Sequence, residues 1–448
     1  MFKHIKILKR SIVQVIVISF ILFSTSGIYG VLLSVGGGGQ IDSRTASISN
    51  AVLYAFYSVF GIIGGGALNL FNFKTILFFC ASTYSIYTGS FIHYNNTKSQ
   101  FFTIFSGALL GIGSGILWTS QGMMLTSYSL ENEKGKFISI FFSITSLGGV
   151  LGSLIPLLFG LENTPLKNEG YLALVLVQSF GALLCFLIVS PKNVNRSDGS
   201  KVETEIVFSV KSEIVQLLRL FKNVKLIMLI PLIFASSFYN PYLFNHFNLT
   251  NFDSESRGFN SLLLSLSGII GSITFPKLLD IKVRRKKRAY ISSILIFLLM
   301  NILWLMIFIQ QSKFNNLKKS DSFTLYNFKK TGLKYIYPCF IFCFFGFVDS
   351  SLQTYICWLV GSFSNNSSVL SRYFGFTRFV QGIVMSIAFS VDGAKIESNR
   401  LLIANWILAV STLPSIIYIS STTTNSVEKF ESDLETTSNV ADSLATTL

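Results

Sequence analysis

The sequence predicts an all-α polytopic membrane protein with twelve transmembrane helices in two six-helix halves, and three observations carry that prediction. Only 13% of the 448 residues are charged and half are hydrophobic, whereas soluble domains carry about 25% charged residues. Uncharged stretches follow one another along the chain, each able to hold the ~20 residues that cross ~30 Å of hydrocarbon as a helix. One long hydrophilic segment, 192–225, separates six of these stretches from the other six.

In chain order the stretches are 11–41, 45–73, 75–97, 99–130, 137–161, 170–191, 226–252, 258–276, 289–312, 335–371, 373–391 and 401–427, the tenth interrupted only by Asp349 and the eleventh only by Arg378. The first follows Lys3, Lys6, Lys9 and Arg10 but runs for 31 uncharged residues. A secretory signal has an apolar core of about 7–15, so this stretch reads as a retained span. Sustained apolarity also excludes the weak alternation of a membrane β-barrel. Within the dividing segment, 203–222 spaces its apolar residues as an amphipathic helix that can lie on the inner membrane surface. From Ser421 the chain is Ser/Thr-rich and acidic, with too few apolar residues to fold alone. The expected organisation is therefore a cytosolic N-terminus (1–10), a first half (11–191), a cytosolic central loop (192–225), a second half (226–420) and a disordered cytosolic tail (421–448).

The net charge of +15 is explained by topology. An even number of spans places both termini on one side, and 24 of the 36 Lys and Arg fall there, which by the positive-inside rule makes that side the cytosol. Six of the remainder crowd into the loop from Lys313 to Lys334, an exception to the rule. The lipid bilayer is the expected partner, its anionic headgroups included; nucleic acid is not. Five cysteines all lie inside apolar runs, and three histidines are scattered at 4, 93 and 246. That distribution gives no disulfide framework, no metal site and no nucleophile–base set, so neither an enzyme nor a cofactor is expected.

Polar and small residues on the spans mark the faces turned away from lipid. Gly107, Gly111 and Gly115 recur every four residues, as do Gly148 and Gly152, a spacing that lets helix backbones approach closely in lipid. Ser114, Trp118 and Gln121 form a polar stripe on the fourth span. Pro241, after Asn240, must break the ladder of the seventh, leaving carbonyls, Asn240 and His246 to line a cavity or simply to mark a kink. Gly346, Asp349 and Gln353 share one face of the tenth span, and an intramembrane carboxylate needs a partner or water. Arg378 lies at a neighbouring depth, so Asp349 and Arg378 form a candidate ion pair. That pair is either a structural fixture or part of a substrate cavity. Asn95 and Asn248 head sequons on the side opposite the termini and are candidate N-glycosylation sites.

At the ends of the second and eighth spans the chain resembles the major facilitator superfamily loop Gly-x-x-x-Asp-Arg-x-Gly-Arg-Arg. The first copy, "GGALNLFNFK", has Gly65 but puts Asn69 in the carboxylate position, with Lys74 in the final basic position. The second, "PKLLDIKVRR", supplies Pro276, Asp280, Arg284 and Arg285, a candidate cytosolic latch. Further stretches resemble the Unc-93-like branch of that superfamily, and its fungal members in particular. They are "VGGGGQID", "NAVLYAFYSVFGIIGG", "GALLGIGSGILWTSQGMMLTSYSLENEKGKFISIFFSITSLGGVLGSLIPL", "SRGFNSLLLSLSGIIGS", "CFFGFVDSSLQTYICWLVGSFSNN" and "SRYFGFTRFVQG". The resemblance implies that spans one, four, seven and ten line a central cavity where Trp118, Gln121, Asn240, Asp349 and Gln353 converge. It also implies two functions: secondary transport of a small solute or ion, or service as a non-transporting partner of another membrane protein, as animal members regulate potassium channels and escort receptors.

Overall fold

The computed structural model describes residues 7–34, 43–158, 168–203, 210–319, 324–394 and 396–424. The glycine run at 35–42, residues 1–6 and the tail beyond 424 lie outside them. Among the described residues eleven helices are long and apolar enough to cross a membrane, and a twelfth crossing, span seven, is broken. Span one consists of Ser11–Leu22, a π-helical turn Phe23–Gly27 and Ile28–Ser34. Spans two to six are Ser43–Leu70, Phe73–Thr97, Phe101–Ser127, Lys134–Leu158 and Asn168–Leu184. A short loop helix, Val210–Leu220, follows. Spans eight to twelve are Ser254–Leu279, Arg285–Lys319, Ile336–Gly361, Ser367–Gly393 and Ser398–Thr422.

Span seven is the broken one. Helix Val224–Ala235 stops, residues 236–239 turn, and the chain continues into a π-helical Tyr242–Asn248. The break falls beside Pro241, which has no N–H to offer the ladder. Polar side chains answer the freed carbonyls: Asn240 Nδ2 donates to Ser237 O at 3.1 Å and Gln353 Nε2 to Ser236 O at 3.3 Å. Span one keeps its π turn in the same way, Ser24 and Thr25 donating their hydroxyls back to Phe20 O and Ile21 O.

Apolar attraction cannot drive helices together in lipid, so the spans associate where small residues allow contact. Gly111 is the tightest case on span four: a Cβ there would stand 2.2 Å from the Leu53 carbonyl oxygen of span two. Gly107 and Gly115 lie along the same seam, against Ser49 and Tyr57, and Gly148 meets the π turn of span one. The large exposed side chains form the complementary surface. Phe79, Phe101, Leu176, Phe180, Ile270 and Ile294 all point outward, as a lipid-facing belt requires.

The first half meets the second along two matched seams, span two on span eleven and span five on span eight. Both ends of the described chain, the central loop and the 2–3, 4–5, 8–9 and 10–11 connections share one face, here called the terminal face. There the chain start pairs with the central loop, Ser11 N donating to Asn195 O and Asn195 N to Lys9 O.

Candidate functional site

Between the halves lies a cavity of about 290 Å³. Its walls come from spans one, two, three, four, five, seven, ten and eleven, and its lining is dominated by phenol and indole rings: Tyr29, Tyr54, Tyr57, Tyr84, Trp118 and Tyr239. Two charged side chains enter it from the second half. Asp349 of span ten accepts a hydrogen bond from Tyr239 Oη of span seven at 2.6 Å. Arg378 of span eleven lays its guanidinium over the Trp118 ring, 5.2 Å from the centroid. It donates to Gln381 Oε1 at 2.6 Å and to Gln121 Oε1 at 3.4 Å.

Of the five candidate cavity residues, Trp118, Asn240, Asp349 and Gln353 line this cavity. Gln121 does not. It is fully buried one layer behind, holding Arg378 from the back. Asp349 and Arg378 form no ion pair in this structure: a phenol bonds the carboxylate, while two amides and an indole face hold the guanidinium and leave its Nε without a partner. Similar depth in the bilayer was a sound inference, but depth does not fix the direction in which a side chain leaves its helix. Gly346, placed with Asp349 by spacing, packs backward, its Cβ position only 2.0 Å from Leu264 O of span eight. His246 also lies elsewhere, at the far end of span seven, where its ring nitrogens contact Asp392 Oδ1 and Ser398 Oγ at 3.0 Å. Gln381, which shares a face of the eleventh span with Arg378 by spacing, lines the cavity beside it; sequence reasoning missed Tyr239 and the tyrosine wall. The first was legible as the residue preceding Asn240 in the broken span; the tyrosines carry no periodic signal of their own.

Below Gln353 the cavity narrows to a pocket of about 30 Å³ among Ile356, Cys357, Phe374 and Arg378. Beyond it the terminal face is sealed. Gly122 of span four abuts the Phe374 ring and Gly361 of span ten abuts Thr126. Lys134, 1% exposed, donates to Gly361 O and to Asn365 Oδ1. Arg196 of the central loop donates to Ser127 O and Asn365 O.

Asp280, the candidate latch residue, has different partners from those the sequence suggested. Asp280 reaches across the five–eight seam and accepts from the backbone N–H groups of Gly135 (3.1 Å) and Lys136 (2.9 Å). Those are orphan donors at the start of span five, where the helix dipole favours negative charge. Burial nonetheless lifts the Asp280 carboxyl above its usual range, the two N–H bonds only partly offsetting it. Arg285 bonds Glu131 at 2.7 Å instead, and no bond joins the Arg284 side chain to Asp280. Burial works against Glu131 ionising, but Arg285, helped by Asn365 and Lys134, outweighs it and holds that carboxyl below its usual value.

The two sequons part company. Asn95 sits in the last turn of span three, its amide donating to Asn168 Oδ1 at 2.9 Å. Asn248 is fully buried inside the π segment of span seven, its Oδ1 bonded to Asn260. The folded chain has no room for a glycan on it, so the Asn248 candidate is withdrawn; a sequon reports local sequence and not burial.

Twelve crossings in two halves around a central cavity define a protein of major facilitator superfamily fold. Solved structures agree. The proton:xylose symporter XylE, bound to 6-bromo-6-deoxy-D-glucose, superposes with a TM-score of 0.65 at 15% identity, covering 94% of this chain and 98% of its own. The human organic anion transporter MFSD10 gives 0.63 at 11%, covering 91% and 99%. Within that fold, the model of the family described as ion channel regulatory protein UNC-93 matches residues 37–420. UNC93-like protein 1 of Arabidopsis thaliana is 33% identical over 410 residues, 91% of this chain and 89% of the relative. An UNC93-like protein of Schizosaccharomyces pombe is 30% identical over 408 residues, 90% and 81% respectively. The chain belongs to the UNC-93 family.

Proposed function

We propose that this protein is a secondary transporter that moves a small solute or ion by alternating access, with both termini in the cytosol. The observation that carries the reading is the cavity itself. It lies between the halves, is walled by aromatic rings, takes in two charged side chains that form no bond to each other, and is separated from the terminal face by a hydrogen-bonded seal. A cavity built only for packing gains nothing from exposing a carboxylate and a guanidinium inside a membrane, where each is costly. The matched two–eleven and five–eight seams are surfaces on which two rigid halves can rock. The concentration of Lys and Arg on the terminal face supports its cytosolic assignment. The test is flux into vesicles reconstituted with the purified protein, across panels of neutral, anionic, cationic and zwitterionic solutes and of monovalent ions. Flux that Asp349→Asn or Arg378→Gln abolishes at unchanged folding supports the reading.

A second reading is a non-transporting regulatory or trafficking partner of an ion channel or other membrane protein. The family description supports it, and so does Asn69 in place of a latch carboxylate. Absence of flux for every solute, together with stable co-purification of one membrane protein, selects it.

A further inference from the structure

The two seams are closed at the terminal face by different means, and the difference follows from the sequence. On the five–eight seam, Asp280 caps the free N–H groups of span five. On the two–eleven seam the corresponding residue is Asn69, and the start of span eleven is already capped by its own Asn366, which accepts from Ser368 N (2.9 Å) and Val369 N (3.4 Å). A carboxylate on span two would find no vacant helix terminus there. The nearest cationic target is Arg372, one turn further into span eleven and 6% exposed.

A carboxylate reaches that target from outside both spans. The loop helix Val210–Leu220 directs Glu213, 2% exposed, into the seam. Its two oxygens accept from Arg372 Nε at 2.8 Å and Nη2 at 3.0 Å, the bidentate geometry that favours such pairs. The same Oε1 accepts from Asn69 Nδ2 at 3.1 Å, while Asn69 Oδ1 accepts from Ser371 Oγ at 3.3 Å. Gly66 makes the entry possible: a Cβ at that position would stand 2.8 Å from Glu213 Cγ. The outer side of the loop helix carries Ile214, Val215 and Leu218, all exposed, so the helix is amphipathic with its acidic group on the buried side.

We propose that Glu213 replaces the missing span-two carboxylate, making the central loop a clasp that keeps the two–eleven seam shut at the terminal face. The inference rests on the reading that the halves rock. Opening the face parts Asn69 and Gly66 from the Glu213–Arg372 pair; with Glu213 neutralised, Arg372 is left buried in the closed seam without its carboxylate, and that unpaired charge opposes the closed state. A carboxamide at 69 suits this arrangement because it donates to Glu213; a second carboxylate there would repel it.

The test is hydrogen–deuterium exchange on the full-length protein in lipid nanodiscs, reading amides 65–70, 134–138 and 367–374. Glu213→Gln is expected to speed exchange at 65–70 and 367–374 at least tenfold. Asn69→Asp alone is expected to speed it as well. The double variant Asn69→Asp/Glu213→Gln is expected to return both segments to within threefold of wild type, because a carboxylate is again next to Arg372. Should Glu213→Gln not accumulate, Glu213→Asp, which keeps the charge and shortens its reach, reads the same segments at smaller amplitude. Asp280→Asn, which cuts the other latch, is the control and is expected to speed exchange at 134–138. If Asp280→Asn opens its seam and Glu213→Gln leaves the other unchanged, the clasp falls and the rocking reading stands. If neither variant has an effect, the rocking reading fails and the clasp with it. If Glu213→Gln opens the seam but the double variant does not close it, Glu213 is a packing residue and not a replacement carboxylate.

Discussion

Replacing Gly111 with alanine tests the packing of span four on span two directly. A Cβ at position 111 would stand 2.2 Å from the Leu53 carbonyl oxygen and 2.8 Å from the Phe56 Cβ, where ordinary contact begins at 3.4 Å. The spans must therefore separate by roughly 1.2 Å, and the obstacle is backbone, which has no rotamer to yield. Overpacking costs about 1–3 kcal/mol, and rigid backbone puts this site at the upper end. Alanine regains about 0.5–1 kcal/mol of helix propensity, so the net loss is about 2 kcal/mol. Gly30→Ala is the matched control, since its Cβ would meet nothing within 4 Å; it is expected to be neutral or slightly stabilising. The assay is the monodisperse fraction surviving a temperature series in detergent, with and without added lipid. A Gly111→Ala protein as stable as wild type, or a Gly30→Ala protein equally weakened, would refute the reasoning.

Asp349→Asn and Arg378→Ala share no bonded partner, so their effects on thermal stability should add to within about 0.5 kcal/mol; mutual rescue in the double variant would restore the ion pair rejected above. The Glu131–Arg285 bond has the opposite pH sense to a raised group. Because the Glu131 carboxyl is held below its usual value, its contribution is present above the unfolded carboxylate range and is lost as pH falls through the lowered one. Protection of amides 131–136, taken relative to the intrinsic exchange rate at each pH, should thus fall on acidification in wild type, with a weaker pH response in Glu131→Gln. Glycosidase treatment of protein from a glycosylating host should leave gel mobility unchanged by Asn248→Gln; a shift that this variant abolishes would contradict its burial.

The architecture was legible because lipid forces a simple pattern on the chain: apolar runs of fixed minimum length, charges only between them. The glycine seam on span four, the break beside Pro241 and an inward-facing carboxylate at 349 were legible for the same reason. What the pattern lacks is rotation about each helix axis. Spacing joined Gly346 to Asp349 and depth paired Asp349 with Arg378, yet neither fixes the direction in which a side chain leaves its helix: Gly346 packs on span eight and Asp349 bonds Tyr239. Glu213 was hidden differently: it lies in a hydrophilic segment where an acidic residue raises no question, and only its approach to Gly66 shows that it is buried.

The π turns in spans one and seven each hold one residue more than an α ladder needs. Removing a single residue from 23–27 would let the ladder close perfectly well, at the expense of swinging Tyr29, Gly30 and everything after them by about 100°. The cavity wall on that side is thus written in the phase of the chain as much as in its residues, and a deletion that mends the helix would misdirect the phenol of Tyr29.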